Sequence, residues 1–169
     1  MTTKLQPDLS LFIVNWNTKE LLVNCVESFY RTVKGLTFEI FVVDNGSSDG
    51  SPDSVRKAFP RIELIRNQMN LGFAKTNNEA LRKSKGRYAL LLNTDVILTN
   101  GAVEYLVEFM DSNPTVGIAG GQLINVDGSK QNSFDNFPSL AAEGLNKSLL
   151  RMSFSEKIFK KASQIQLPN

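Results

Sequence analysis

The 169-residue sequence predicts an α/β fold: a mostly parallel sheet flanked by helices. Three observations lead there. Segments of strand character alternate with segments of helical periodicity, the pattern of successive βαβ units. The strand segments are continuous apolar runs, as in strands buried on both faces. Asn, Asp and Gly gather just after these runs, at the edge where open α/β sheets bind ligands.

The first strand is Leu9 to Val14. A helix follows, with Leu21, Leu22, Cys25, Val26, Phe29, Tyr30 and Val33 forming one apolar stripe. Asn17 followed by Glu20 is its start signal and Gly35 its stop. Phe38 to Val43 is the second strand, leading into Asp44-Asn45-Gly46-Ser47-Ser48-Asp49-Gly50. Ser51-Pro52 opens a short helix carrying Val55, Ala58 and Phe59. Ile62 to Ile65 is the third strand, and Asn67 to Gly72 a polar loop. A helix with Phe73, Ala74, Asn77, Ala80, Leu81 and Ser84 comes next, ended by Gly86. Tyr88 to Leu92 is the fourth strand. Val103, Leu106, Val107 and Met110 mark a further helix, stopped before Pro114, and Val116 to Ala119 reads as a fifth strand. Beyond Asn125 the pattern weakens into a polar loop and then a basic, loosely amphipathic segment from Leu145 to Ile165. The expected organisation is a ligand-binding α/β domain over residues 1–125 and a separate C-terminal segment over residues 126–169.

Composition narrows the chemistry. The chain has no histidine, which excludes Ser-His and Cys-His nucleophilic machinery and every His-ligated metal site. Cys25 is the only cysteine, so no intrachain disulfide forms, in keeping with a reducing cytosol. The N-terminal MTTKLQPDLS lacks the apolar core of a signal peptide, and a cytoplasmic location is expected. Residues 144–169 hold five basic and one acidic residue. The rest of the chain holds 14 and 16, a slightly acidic body unsuited to nucleic acid.

The segment around Asn93-Thr94-Asp95 is the most telling. An apolar strand runs straight into these three residues and on to Val96 and Ile97. A carboxylate at the end of a buried strand is costly unless compensated, and a divalent cation with a diphosphate would compensate it. Mg²⁺ is commonly held by one or two carboxylates plus substrate phosphate oxygens. Taken alone, a simple turn explains the segment as well. The other strand ends decide between the two: Asn15-Trp16-Asn17 after the first, Asp44 and Asn45 after the second, and Asn70 and Gly72 beyond the third. Four consecutive strands thus deliver polar groups to one edge, a pattern suited to a polar, phosphorylated small molecule. Asp44 suits a base or ribose, Trp16 and Phe73 can flank a ring, and the helix start at Phe73 suits phosphate. There is no Gly-x-Gly-x-x-Gly and no Walker A sequence, which disfavours Rossmann dinucleotide enzymes and P-loop NTPases.

Four segments in order, LFIVNWNTKELLVNCVES, IFVVDNGSSDGS, NLGFAKTNNEALRKSKGRY and ALLLNTDVIL, resemble family 2 glycosyltransferases. The Asn-Leu-Gly-Phe-Ala and Leu-Asn-x-Asp-Val forms resemble the rhamnosyltransferase-like branch. The resemblance implies the GT-A nucleotide-sugar-binding fold, with a mostly parallel Rossmann-like sheet flanked by helices. It implies a nucleotide-diphosphate sugar donor of the dTDP, UDP or GDP type and a saccharide or lipid-linked glycan acceptor. Asn15, Trp16 and Asn17 would line the base pocket, and Asp44 would contact the base with Asn45 beside it. Asn70, Gly72, Phe73, Ala74 and Asn77 would lie near ribose, diphosphate or donor sugar. Asp95, next to Thr94, would be the last acid of the Asp-x-Asp signature and bind Mg²⁺ or Mn²⁺; the first acid is replaced by Asn93. Transfer would invert the anomeric carbon, with a carboxylate deprotonating the acceptor hydroxyl. The Gly-rich strand and acidic pair that carry that base have no counterpart after Asn125, so the expectation is the donor-binding half of a longer enzyme. Asp127, Asp135, Glu143 and Glu156 lack the context of a base.

A non-catalytic nucleotide-sugar-binding module, or inactive fragment, is the competing reading. A response-regulator-like domain phosphorylated on Asp44 is a third, weakened because Asn15 and Asn17 stand where acids are needed. For the basic C-terminal segment, a helix packed against further chain, or a poorly ordered end, is preferred over contact with the inner face of a membrane. Apolar surface at the chain end would favour a homodimer.

Overall fold

A computed structural model describes residues 6–131. The basic segment Leu145–Ile165 and the acids Asp135, Glu143 and Glu156 lie outside the described residues. The chain divides into two units between Gly121 and Gln122.

The first unit alternates four strands and four helices: β1 (Leu9–Asn15), α1 (Lys19–Thr32), β2 (Phe38–Asp44), α2 (Ser51–Ala58), β3 (Glu63–Arg66), α3 (Phe73–Leu81), β4 (Tyr88–Leu92) and α4 (Ala102–Ser112). The strands form one sheet in the order β3-β2-β1-β4, and every pairing is parallel. All carboxyl ends therefore share one edge. The strand order reverses between β1 and β4, the position where a ligand crevice opens in such sheets.

Alternate residues of the central strands supply two cores. Leu9, Leu11, Ile13, Ile40 and Val42 pack with Leu22, Cys25, Val26 and Phe29 of α1, Val55 of α2 and Val103 of α4. On the opposite face Phe12, Phe41, Val43 and Ile65 pack with Ala80 of α3. The α1 stripe runs as the periodicity predicts, except that Leu21 stays 46% exposed.

Several elements differ from the sequence expectation. Among the described residues β4 is an edge strand, buried on one face only: Tyr88, Leu90 and Leu92 join the α1-side core, while Leu91 is 47% exposed. Val116–Ala119 forms no strand, and Ile118 is almost fully exposed. An apolar run becomes a strand only when it pairs with a partner, and among the described residues this one pairs with none; Gly117 and Gly120 weaken it further. The third helix ends at Leu81, well short of Gly86, so Gly86 is no helix stop. It lies where the chain enters β4 against the backbone of Leu9 and Ser10. In the second unit, Ile124 and Lys130 bridge across a turn built on Asp127 and Gly128. Among the described residues no helix is long and apolar enough to cross a membrane.

Candidate functional site

β1 and β2 run in register to their last residues, placing Asn15 directly beside Asp44. Both are buried, at 0% and 3% exposure. The Asn15 amide donates to Asp44 Oδ1 at 2.8 Å, Ser51 Oγ at 2.7 Å and Ser47 Oγ at 3.0 Å. Its carbonyl accepts from the Thr18 hydroxyl at 2.7 Å. The second Asp44 oxygen accepts from the Ser47 amide at 3.0 Å. Burying a carboxylate is costly unless polar hydrogens face it, and here the Asn15 side chain and the Ser47 amide supply them. Asn15 is thus a framework residue whose amide is committed to the protein, and it aims Asp44 at the sheet edge.

Around this pair two loops are tied together. Asn17 takes the left-handed conformation, φ 54°, which asparagine tolerates better than most residues. Its amide N–H donates to Ser47 Oγ and its side-chain oxygen accepts from the Ser48 amide. α1 therefore starts one residue later than its sequence signal, with Thr18 at the N-cap. Asp49 serves two helix starts: Oδ2 accepts from the Lys19 amide at 2.9 Å and Oδ1 from the amide of Ser51. Partial desolvation of Asp49 raises its pKa, but the Ser51 hydroxyl and the Ser51 and Lys19 amides outweigh that and hold the carboxyl below the usual range.

A second network shapes the loop before α3. The Asn45 amide donates to Asn70 Oδ1 at 2.7 Å, and Asn45 Oδ1 accepts from the Leu71 amide at 2.9 Å. Asn70 Oδ1 also accepts from the Gly72 amide. Asn77 is buried and donates to the Phe73 carbonyl one turn back in its own helix. Gly72, at φ 81°, sets the entry to α3 in a conformation that side-chain-bearing residues avoid. Beyond it Phe73 is 56% exposed and Ala74 is exposed, while Trp16 is 55% exposed on the β1 side.

The third group lies past β4. Asn93 and Asp95 are exposed and Thr94 is half-buried. Asp95 therefore does not end a buried strand as expected: among the described residues β4 is an edge and Asp95 is exposed. The buried strand-end acid is Asp44, compensated by the protein itself. The Thr94 hydroxyl lies 3.1 Å from that of Thr18, and Cys25 Sγ lies 3.4 Å from the Asn93 carbonyl.

Cys25 sits beneath this turn. Burial, and secondarily the negative charge of Asp95, push its thiol up to about 12. Since the thiolate is the reactive form, native Cys25 is expected to resist alkylation at neutral pH and to react once denaturant unfolds the chain. Iodoacetamide labelling followed by mass spectrometry, with and without denaturant, checks this; rapid labelling of native protein would contradict the burial.

Of the residues singled out from sequence, hydrogen bonds link Asn15, Asn17 and Asp44 into one network, with Thr94 joined through Thr18, and Asn45 with Asn70 into another. Trp16, Phe73, Ala74, Asn93 and Asp95 are presented to solvent. Sequence reasoning missed Thr18 and Ser51, whose roles depend on side-chain direction; no spacing signal announces them. Among the described residues no three His, Cys, Asp or Glu side chains cluster to hold a metal. One exposed carboxylate beside an amide and a hydroxyl suits a hard cation that draws most of its ligands from a diphosphate and water.

The fold is that of the GT-A glycosyltransferases. A mannosyltransferase from Pyrobaculum calidifontis, solved with GDP-Man and Mn²⁺, superposes with a TM-score of 0.59 at 24% identity, over 68% of this chain and 35% of that one. The succinoglycan biosynthesis protein ExoO of Rhizobium meliloti is 27% identical over 163 residues, 96% of this chain and 41% of the relative. A chondroitin synthase of Pasteurella multocida is 29% identical over 154 residues, 88% of this chain and 16% of the synthase. The chain thus spans less than half the length of these relatives. The sequence profile of glycosyl transferase family 2 matches residues 10–166, well past the four motif segments, and this chain belongs to that family.

Proposed function

We propose that residues 1–125 form the donor-binding part of a glycosyltransferase that moves a sugar, with inversion, from a nucleotide diphosphate to a saccharide or lipid-linked glycan. The observation that carries this reading is the gathering of the Asn15–Asp44 pair and the Asn93–Asp95 turn at the carboxyl edge, on either side of the β1–β4 reversal. Asp44 accepts from the nucleotide base, and the exposed ring of Trp16 or Phe73 flanks the base or the sugar. The start of α3 at Gly72-Phe73-Ala74 offers backbone N–H groups to the phosphates. Asp95 holds Mg²⁺ or Mn²⁺, with Asn93 and Thr94 beside it. When bound, the cation offsets charge that develops on the departing diphosphate. A fold relative solved with GDP-Man and Mn²⁺ supports a donor and a cation of these classes. The Asn-Leu-Gly-Phe-Ala and Leu-Asn-x-Asp-Val motifs favour a rhamnosyltransferase-like donor preference. We place the protein in the cytoplasm and assign no catalytic base within it.

Titration calorimetry of this chain with UDP, dTDP and GDP, each with and without Mn²⁺, tests the reading. One nucleotide is expected to bind, more tightly with Mn²⁺. Asp95→Ala is expected to remove that gain, a loss of about tenfold or more, since a metal–carboxylate contact of a few kcal/mol is at stake. Failure of all three nucleotides to bind would sink the proposal.

A further inference from the structure

Thr18 occupies the N-cap of α1, where a threonine hydroxyl ordinarily accepts from an amide of its own helix. Here its side chain makes no cap bond. Asp49 from the neighbouring loop accepts from the first helical amide, that of Lys19. The Thr18 hydroxyl is turned to two other groups, Asn15 Oδ1 at 2.7 Å and Thr94 Oγ1 at 3.1 Å.

The protons dictate the direction of this chain. A side-chain carbonyl only accepts, so Thr18 donates to Asn15. A hydroxyl has a single proton, so Thr94 must donate to Thr18. Asn15 in turn donates to Asp44 Oδ1. A continuous relay runs from the turn that carries Asp95, through Thr18 and Asn15, to the buried carboxylate of β2. It begins where the ladder stops: the last pair between β1 and β4 is Ile13 with Leu92. A weak thiol contact runs from Cys25 of α1 to the Asn93 carbonyl of this turn, and a thiol is a poor donor.

We propose that Thr18 is a positioning residue that sets the Asn93–Asp95 turn against the Asp44 carboxylate, so that metal and nucleotide are gripped in one geometry. This rests on the donor-site reading above. Thr18 touches neither ligand; it acts through Thr94 at one end and Asn15 at the other. Because the Thr18 side chain makes no cap bond, removing its hydroxyl leaves the start of α1 intact.

The test is a calorimetric cycle on the nucleoside diphosphate that the wild type binds, with and without Mn²⁺. Thr18→Val is expected to cut the Mn²⁺-dependent gain in affinity about fivefold, the size of a modest coupling term, and to leave metal-free binding within about twofold. Thr18→Ser restores the gain. Thr94→Val removes the other end of the same bond and produces the same loss, and the double variant is no worse than either single one. Equal weakening with and without Mn²⁺, an unchanged gain, or full additivity of the two valines would overturn the inference while leaving the donor site standing. Failure of the wild type to bind any nucleotide would overturn both.

Discussion

Asp44→Asn is expected to lower the stability of the protein by about 2–3 kcal/mol, the cost of leaving a buried donor facing another donor. The carboxylate accepts on both oxygens, from Asn15 Nδ2 and from the Ser47 amide. An asparagine offers one oxygen and one NH₂, so one of these two donors must meet another donor. Rotating the Asn15 amide does not relieve it, because that amide also donates to Ser51 and Ser47 and accepts from Thr18. For a chain of this size the thermal midpoint should fall by about 5–10 °C, and nucleotide affinity by about tenfold or more if Asp44 faces the base. Differential scanning calorimetry reads the first effect and titration the second. An unchanged midpoint would show that the Asn15–Asp44 pair is not the buried junction described above.

Gly86→Ala is expected to be at least as damaging, for a steric reason. A Cβ at this position would lie 2.4 Å from both the backbone nitrogen and Oγ of Ser10, and 2.7 Å from the Leu9 carbonyl carbon. Those atoms belong to the central strand and cannot retreat without breaking ladder bonds. The Gly86 amide itself donates to Ser10 Oγ at 2.8 Å, and Ser10 Oγ donates to Glu39 Oε1 at 2.6 Å. A forced shift would therefore open the polar junction at the start of β1, β2 and β4 together. The expected loss is about 3 kcal/mol or more, at the upper end of overpacking costs. A urea titration of the variant reads it directly, and a denaturation midpoint matching that of the wild type would refute it. The effect should fall on stability alone, since Gly86 lies at the edge of the sheet opposite the carboxyl ends.

The two variants also separate what was legible in the sequence from what was not. Continuous apolar runs at Leu9–Val14 and Phe38–Val43 have only one way to hide both faces, between layers of helices, and the alternation of elements makes the strands parallel. Parallel strands put all their carboxyl ends on one edge. From periodicity and turn chemistry alone the sequence therefore determined the α/β class, the first three strands, the main helices and the edge where Asn15, Asp44 and Asp95 gather.

Tertiary structure decided the rest. Whether a strand is central or an edge depends on neighbours that local pattern does not encode, so β4 read as fully buried and Val116–Ala119 as a strand. Gly86 carries the same letter whether it stops a helix or lets two backbones touch; only the position of Ser10 distinguishes them. The same holds for the asparagines. An asparagine after a strand can face a ligand or bind the protein, and the choice depends on which acceptors folding brings within about 3 Å of it. Folding turned Asn15, Asn45 and Asn77 inward and left Trp16, Phe73 and Asp95 facing outward. The contact of Asp49 with the Lys19 amide, and the lack of a cap bond from Thr18, are of the same kind. Side-chain direction at a loop is settled by contacts between residues some thirty positions apart in sequence, and no local propensity contains that information.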